Sequence, residues 1–502
     1  MTPQQRNLLL LSAAISSASG LASELLLGTL ASYLVGNEAL SYGIAVGGFL
    51  AAMGVGSYLT RFIGNKGDTL LTAFMTVELL IAPLNAILPL GLFILFMIGG
   101  EIWLGLAFVT LILGTLAGLE IPLLTRMVEA EEGVKEALAG VLAMDYFGAL
   151  VGSLAFPVIL LPIVGMFPAA AILGIFPAVM VFFLGRAFPQ LRQWRFFGLS
   201  LAVLLTIFAV LVVPFSQRLE QNLYGAPIVR QTQSAYQRLV LTRRGSDVRL
   251  FLDGDLQFST SDEYRYHEAL VHPALSAVSN PKNILLLGAG DGLALREILK
   301  WDRVETITLI ELDPKVVQWA KTYPALVEAN QNAFADSRVN LIYGDAFQLV
   351  SEIDETFDVI LADFPDPDRN VLAKLYSLGF YRQLQAHLSP QGVFVTQGSS
   401  PFFAPKAFSC IATTLKAIDF NVYPYTVNVP SFGPWGFVLA TKRSFNPEKI
   451  EQLPIPTRFL SPAVLSSLFI LPKDMMIRKV EVNTLAHPVI VNYERDRRWV
   501  LY

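Results

Sequence analysis

The chain has 502 residues, too many for one ordinary core, and with 53% hydrophobic and only 16% charged residues it is too apolar for a soluble protein. A net charge of -4 excludes a polyelectrolyte contact with nucleic acid, and a single cysteine, Cys410, excludes a disulfide framework or a multi-cysteine metal site. The four histidines, His267, His272, His387 and His487, are scattered without metal-ligand spacing, so a metal-free mechanism is expected.

Most charged residues follow about residue 215, so the N-terminal part reads as a membrane half and the rest as a soluble half. Roughly 20 mostly apolar residues cross a bilayer. About seven such runs lie near 8–36, 40–62, 69–97, 102–125, 138–164, 167–185 and 196–214, which predicts an α-helical transmembrane bundle over 1–214 in the cell membrane. The first run is too long for a signal-peptide core and is read as a retained helix. Arg61 with Lys66, Arg126 with Lys135, and Arg186, Arg192 and Arg195 fall in alternate loops on the side of Arg6, which the positive-inside rule makes cytoplasmic. Seven crossings from that start leave the soluble half outside. Pro83 and Pro89 make 69–97 a candidate re-entrant or split helix that restores an even count and a cytoplasmic soluble half.

Gly43, Gly47 and Ala51, and then Gly48, Ala52 and Gly56, set small residues four apart on the second run, where helices approach closely. Glu24, Glu78, Glu120 and Asp145 lie inside apolar runs, each at a cost of about 2.5–3.5 kcal/mol or more at a bilayer centre. Two readings stay open for them: a path or sensor for a cationic amine, or carboxylates at helix ends and in interhelical hydrogen bonds.

A linker and small β subdomain are expected over 215–275, with strands Gln237–Arg243, Val248–Asp253 and Leu256–Ser259 turned at Gly245-Ser246 and Asp253-Gly254. From Asn283 the order strand, glycine loop, helix, strand begins a doubly wound α/β sheet, here a Rossmann-like domain over 276–445. Asn283–Leu287 is a strand, Gly288, Gly290 and Gly292 punctuate a ligand-approaching loop, and Leu293–Lys300 is the helix. The next strand, Val304–Ile310, ends at Glu311, roughly 20 residues past the loop, where a carboxylate can accept ribose hydroxyls. Strands Val339–Tyr343 and Phe357–Ala362 run into Asp345 and into Asp363 with Asp366. Ligands in open α/β sheets sit at strand carboxyl ends, so Asp291, Glu311, Asp345, Asp363 and Asp366 are expected in one acidic crevice. Such a crevice suits two cationic reactants. An S-adenosyl sulfonium lacking its carboxylate fits better than S-adenosylmethionine, which would set its own carboxylate against these acids.

The order of Leu252-Asp-Gly-Asp-Leu-Gln257, Asp262-Glu-Tyr-Arg-Tyr-His-Glu268, the Gly-Asp loop, the ribose acid, Gly344-Asp345 and Asp363-Phe-Pro-Asp-Pro367 resembles the spermidine synthase family of polyamine aminopropyltransferases, in its membrane-linked branch. The resemblance implies aminopropyl transfer from decarboxylated S-adenosylmethionine, a co-substrate with no bound cofactor or metal, to putrescine. It implies Asp363 as the base, Asp366 as the holder of the diamine, and Tyr266 and His267 along the amine site. Gln237 then lies near the thioether, Asp291 faces the aminopropyl group, Glu311 takes the ribose, and Asp345 with Ala346 contacts adenine. Leu375-Tyr-Ser and Phe380-Tyr381 resemble the segment after the catalytic loop, and family members are commonly oligomeric, which extends that expectation here. Burial or the like-charged Asp366 is expected to raise the basicity of Asp363. Two departures bear on the acceptor: Phe432 stands where the family commonly has tyrosine, and Asp368-Arg369-Asn370 replaces a usual Gly-Pro. Another diamine, a triamine or a modified amine therefore stands beside putrescine. The extension 446–502, with Phe459-Leu-Ser-Pro462, Pro472-Lys-Asp-Met475 and Val482-Asn-Thr-Leu485, resembles extensions of the same branch and is given no catalytic role. The competing readings are an S-adenosylmethionine-dependent methyltransferase and a polyamine-binding transporter or sensor.

Overall fold

The computed structural model describes residues 1–35, 38–64 and 66–496. The end of the first apolar run at residue 36 and the end of the C-terminal extension lie outside the described residues. The chain forms two compact units, Met1–Gly225 and Ala226–Tyr502.

In the first unit the helices are α1 (Pro3–Val35), α2 (Glu38–Leu59), α3 (Gly67–Met97), α4 (Ile102–Glu132), α5 (Val134–Ala155), the short α6 (Leu161–Val164), α7 (Met166–Ala187) and α8 (Trp194–Leu223). A π-helical stretch, Phe156–Leu160, joins α5 to α6. It falls where Pro157 and Pro162 withdraw N–H groups from the regular ladder. Counting α5 through α6 as one, seven of these helices are long and apolar enough to cross a membrane. The expectation of a re-entrant or split third run is overturned, because α3 runs unbroken through Pro83 and Pro89. An apolar helix tolerates the missing donors when neighbouring helices and local adjustments satisfy the freed carbonyls.

The two glycine stripes of α2 have different fates. Gly43 and Gly47 face open space, with no atom of the described residues within 4 Å of an added Cβ. Gly56 lies so close to α4 that an added Cβ would sit 2.0 Å from the Thr115 carbonyl, and Gly118 answers from α4 at 2.1 Å from the Met53 carbonyl. The same device joins α1 to α5, where a Cβ on Gly148 would meet the Ala14 carbonyl at 2.0 Å. Of the four intramembrane-type carboxylates, Glu24, Glu78 and Glu120 are buried. Asp145 is half-buried and accepts a hydrogen bond from Ser17.

The second unit opens with an antiparallel meander of β1 (Ile228–Gln233), β2 (Arg238–Arg244), β3 (Asp247–Leu252) and β4 (Asp255–Ser259). Sequence patterning finds the last three within a residue or two and misses β1. After α9 (Glu263–Ser276) comes a seven-stranded sheet of order β10-β11-β9-β8-β5-β6-β7. Its members are β5 (Asn283–Gly288), β6 (Thr306–Glu311), β7 (Val339–Tyr343), β8 (Phe357–Asp363), β9 (Leu388–Gln397), β10 (Asn421–Val429) and β11 (Gly433–Thr441). Strands β5 to β9 pair in parallel and β10 and β11 close one edge antiparallel. Ile284 to Leu287 are fully buried, as a central parallel strand covered on both faces requires. The chain winds from β5 outward to β7 and then returns to β8 on the other side of β5. The resulting switch point lies between the carboxyl ends of β5 and β8, where Gly288 pairs with Asp363.

The extension is part of this fold. The Glu268 carboxylate of α9 accepts the backbone N–H groups of Arg458, Phe459 and Leu460 at 2.6, 3.0 and 2.8 Å. Buried Asn483 donates to the Ala373 carbonyl at 2.9 Å, which anchors the segment after the β8 loop.

Candidate active site

At the end of β5 the backbone turns through Gly288, with φ of 77°, into the loop before α10 (Leu293–Leu299). A Cβ at Gly288 would lie 2.2 Å from the Asp363 carbonyl, so only glycine lets β5 and β8 end side by side. Gly290 is needed for a different approach: its Cβ would be 2.7 Å from Glu311 Oε2, a carboxylate to which its N–H also donates. Asp291 follows, with Oδ1 accepting the Leu293 N–H at 2.8 Å.

Glu311, the last residue of β6, is buried and accepts the Asp313 N–H at 2.9 Å. Burial, with Asp313 and Asp291 as like-charged neighbours, raises it to about 7 despite the backbone donors. Asp313 in turn receives Gln237 Nε2 at 3.1 Å, so Gln237 is tied to the same corner. Asp363, the last residue of β8, accepts the Tyr266 hydroxyl at 2.5 Å. Burial chiefly, opposed by the His267 charge and Tyr266 and reinforced by Asp291, raises Asp363 to about 6. Of the two causes expected from the sequence, burial or the like-charged Asp366, burial is the larger effect, and Asp291 across the switch point adds to it as a like-charged neighbour.

His267 is buried one residue along α9 from Tyr266 and sets Nδ1 2.9 Å from a Glu263 carboxylate oxygen. Burial disfavours its cation, but Glu263 overcomes this and lifts it to about 9, with help from Asp291 and Asp363. Glu263 is itself gripped at both oxygens by Arg296, at 2.9 and 3.0 Å. The positive charge beside the acids thus rests on a buried ion network behind them.

Asp366 receives Gln397 Nε2 at 3.3 Å, and the same amide reaches the Phe364 carbonyl at 2.8 Å and the Tyr376 hydroxyl at 2.5 Å. Asp345 is engaged differently. It caps the short helix Ala346–Leu349 through the Phe347 N–H at 3.0 Å and is ion-paired with Lys374. Of the five carboxylates expected in one crevice, Asp291 acts electrostatically on both Glu311 and Asp363, Asp366 acts on Tyr266 beside Asp363, and Asp345 faces Lys374 instead.

Phe432 packs against Tyr266 and Trp435 with ring centroids 6.0 and 5.1 Å apart, so an aromatic wall stands where a hydroxyl was expected in relatives. Arg369, in the departure after Asp366, pairs with Asp253 Oδ2 at 3.0 Å and ties the β8 loop to the β3–β4 turn. Sequence reading missed Gln397, Trp435 and Arg296, and it quoted Glu263 within the Asp262–Glu268 segment without a role. Gln397 stands at a strand end without a motif, and the Glu263–Arg296 pair joins residues 33 positions apart, a separation that no local pattern reports.

Residues 263–449 match the family model of the spermine/spermidine synthase domain. The chain is 40% identical to polyamine aminopropyltransferase 2 of Ralstonia nicotianae over 98% of this chain and 99% of that one. It is 39% identical to the polyamine aminopropyltransferase of Leptospira interrogans over 98% of both chains. A solved spermidine synthase in complex with the transition state analogue AdoDATO aligns with a TM-score of 0.47 at 28% identity, over 49% of this chain and 88% of that one.

Proposed function

We propose residue roles from one premise: the chain belongs to the spermidine synthase family and is a polyamine aminopropyltransferase. Enzymes of this kind use decarboxylated S-adenosylmethionine as co-substrate, and putrescine is the acceptor proposed here. An alkylammonium has no lone pair, so the attacking nitrogen must first lose a proton, which Asp363 takes. The nitrogen then forms a bond to the propyl carbon next to sulfur, the carbon–sulfur bond breaks, and methylthioadenosine leaves with the electron pair. Spermidine is the product.

The observation that carries this reading is the partly buried Asp363 at the switch point, raised to about 6 and held through Oδ1 by Tyr266, which leaves Oδ2 for the amine. A base of that strength is ionised at neutral pH yet more basic than a free aspartate. Asp366, oriented by Gln397, holds the distal ammonium, and Asp291 meets the donor's aminopropyl ammonium. Glu311 accepts the ribose hydroxyls, Gln237 borders the thioether, and Asp345 with Ala346 borders adenine. Tyr266, Phe432 and Trp435 form the wall along the acceptor's methylenes. Gly288, Gly290 and Gly292 carry the loop under the donor. The transferase domain is 276–445, preceded by the β subdomain and followed by the extension that braces it.

Glu311 supplies a test of the donor half. Glu311→Gln keeps the shape and removes the charge, so the KM for the donor is expected to rise about 10- to 100-fold while kcat at saturating donor changes little. In the wild type that KM should fall as pH rises through about 7, because the ionised carboxylate is the better acceptor, and the variant should lose this dependence. An unchanged donor KM would remove Glu311 from the ribose.

The seven apolar helices are proposed as spans of the cell membrane. The donor's origin places the transferase in the cytoplasm, and seven crossings then start the chain on the opposite face, against the distribution of the basic loops. A fluorescent C-terminal green fluorescent protein fusion with an inactive alkaline phosphatase fusion is the expected pair of results. An active phosphatase fusion would put the transferase outside.

A further inference from the structure

The helical unit holds a small polar cavity of about 10 Å³, room for one water-sized group, bordered by serines of α1, by Glu78 and Asn85 of α3 and by Glu120 of α4. Glu78, Asn85 and Glu120 are 1%, 0% and 4% exposed. Ser16 donates its hydroxyl to one oxygen of Glu78. The other Glu78 oxygen and both amide atoms of Asn85 have no protein partner among the described residues. Glu120 has Glu78 and Asp145 as neighbouring carboxylates. Packing alone does not account for this arrangement, since each buried polar atom without a partner costs about 1–3 kcal/mol and a carboxylate costs more.

The chemistry of the lining selects a class of ligand. Two carboxylates and an amide carbonyl are acceptors, and the serine hydroxyls are already committed: Ser19 donates to the Leu173 carbonyl at 2.9 Å and Ser23 to the Ser19 carbonyl at 2.7 Å. An anion has no counter-charge here. Among the described residues no group of three or more histidine, cysteine or acidic side chains could hold a metal ion. Phe49, Ile81 and Leu113 complete the wall with apolar surface, which suits carbon next to a cationic head. We infer that this cavity is a binding site for an ammonium head, separate from the transferase site. Glu78 and Glu120 supply the counter-charge, and the Asn85 carbonyl accepts a further N–H. The head belongs either to free ammonium or to one end of a diamine, and the two sources are separable.

Equilibrium dialysis of the detergent-purified full chain against labelled putrescine tests the site. The wild type is expected to bind two putrescines per chain and the Glu78→Gln/Glu120→Gln protein one, with the variant's kcat and KM unchanged, which also verifies its fold. Asn85→Leu, which keeps both carboxylates, should weaken the same site at least tenfold. One putrescine per wild-type chain, with labelled methylammonium bound at a site that the double variant lacks, would assign the head to free ammonium. Two putrescines in wild type and double variant alike would overturn the inference. So would one putrescine in wild type and double variant alike with no methylammonium site, or displacement from the Glu78–Glu120 site by an equal concentration of sodium ion. The comparison stands whether or not putrescine is the transferase's acceptor, because only the site lost with Glu78 and Glu120 is counted.

Discussion

Replacing Asp363 by asparagine is expected to lower kcat about a thousandfold while making the protein more resistant to unfolding. The first effect follows from removing a positioned base, worth about 10²- to 10⁴-fold. The second follows from the direction of its pKa. In the folded protein Asp363 is raised to about 6, above its ordinary 3.8, so its contribution to stability is favourable below the unfolded value and is lost as pH rises through 6. At pH 7 to 8 the ionised group therefore costs on the order of 1–3 kcal/mol once partial exposure is allowed for. Asparagine removes that cost and keeps an oxygen to accept the Tyr266 hydroxyl. Initial rates at saturating substrates, with thermal unfolding followed at pH 6 and pH 8, check both halves. A variant that retains more than a tenth of the activity would exclude Asp363 as the base. A variant destabilised at pH 8 would contradict the electrostatic account of its environment.

Arg296→Met is expected to destabilise the second unit by about 3–5 kcal/mol, because it leaves a buried carboxylate without its counter-charge. Arg296 holds both oxygens of Glu263, donates to Glu297 at 2.9 Å and reaches the Ala329 carbonyl at 2.6 Å. Methionine matches much of its volume and none of these bonds. Glu297, opposed by burial but favoured by His272, Arg296 and Lys300, is lowered to about 2. A depressed acid contributes stability that is present above its unfolded value of 4.5 and is lost as pH falls through 2. The wild type should therefore weaken between about pH 4.5 and 2, and the variant should lose part of that dependence. Urea unfolding monitored across this range measures it. A loss below 1 kcal/mol at pH 7 would mean that the network relaxes or takes in water.

What could be read from the sequence, and what could not, follows from the range of each interaction. Asp363, Glu311 and the glycine loop were legible because strand ends and tight turns impose local residue choices, and those strands lie within a residue or two of expectation. The β1 strand was not, because Ile228–Gln233 ends in a polar stretch without the Gly, Pro or Asn-Gly marks that delimit hairpins. Two proline-bearing turns in α3 read locally as a break, but contacts to α4 and α7 keep the helix whole. Likewise the two glycine stripes of α2 look alike in sequence, and only the partner helix decides that Gly56 is packed and Gly43 is not. Asp345 illustrates the same limit at the site, since Lys374, 29 positions away, determines which way its charge is engaged.

Mass spectrometry of products from the detergent-purified chain, given putrescine with either decarboxylated S-adenosylmethionine or S-adenosylmethionine, tests the central claim most directly. Equal amounts of spermidine and methylthioadenosine from the decarboxylated donor alone are the predicted result. Methylated amine from S-adenosylmethionine, or no product from the decarboxylated donor, would contradict it.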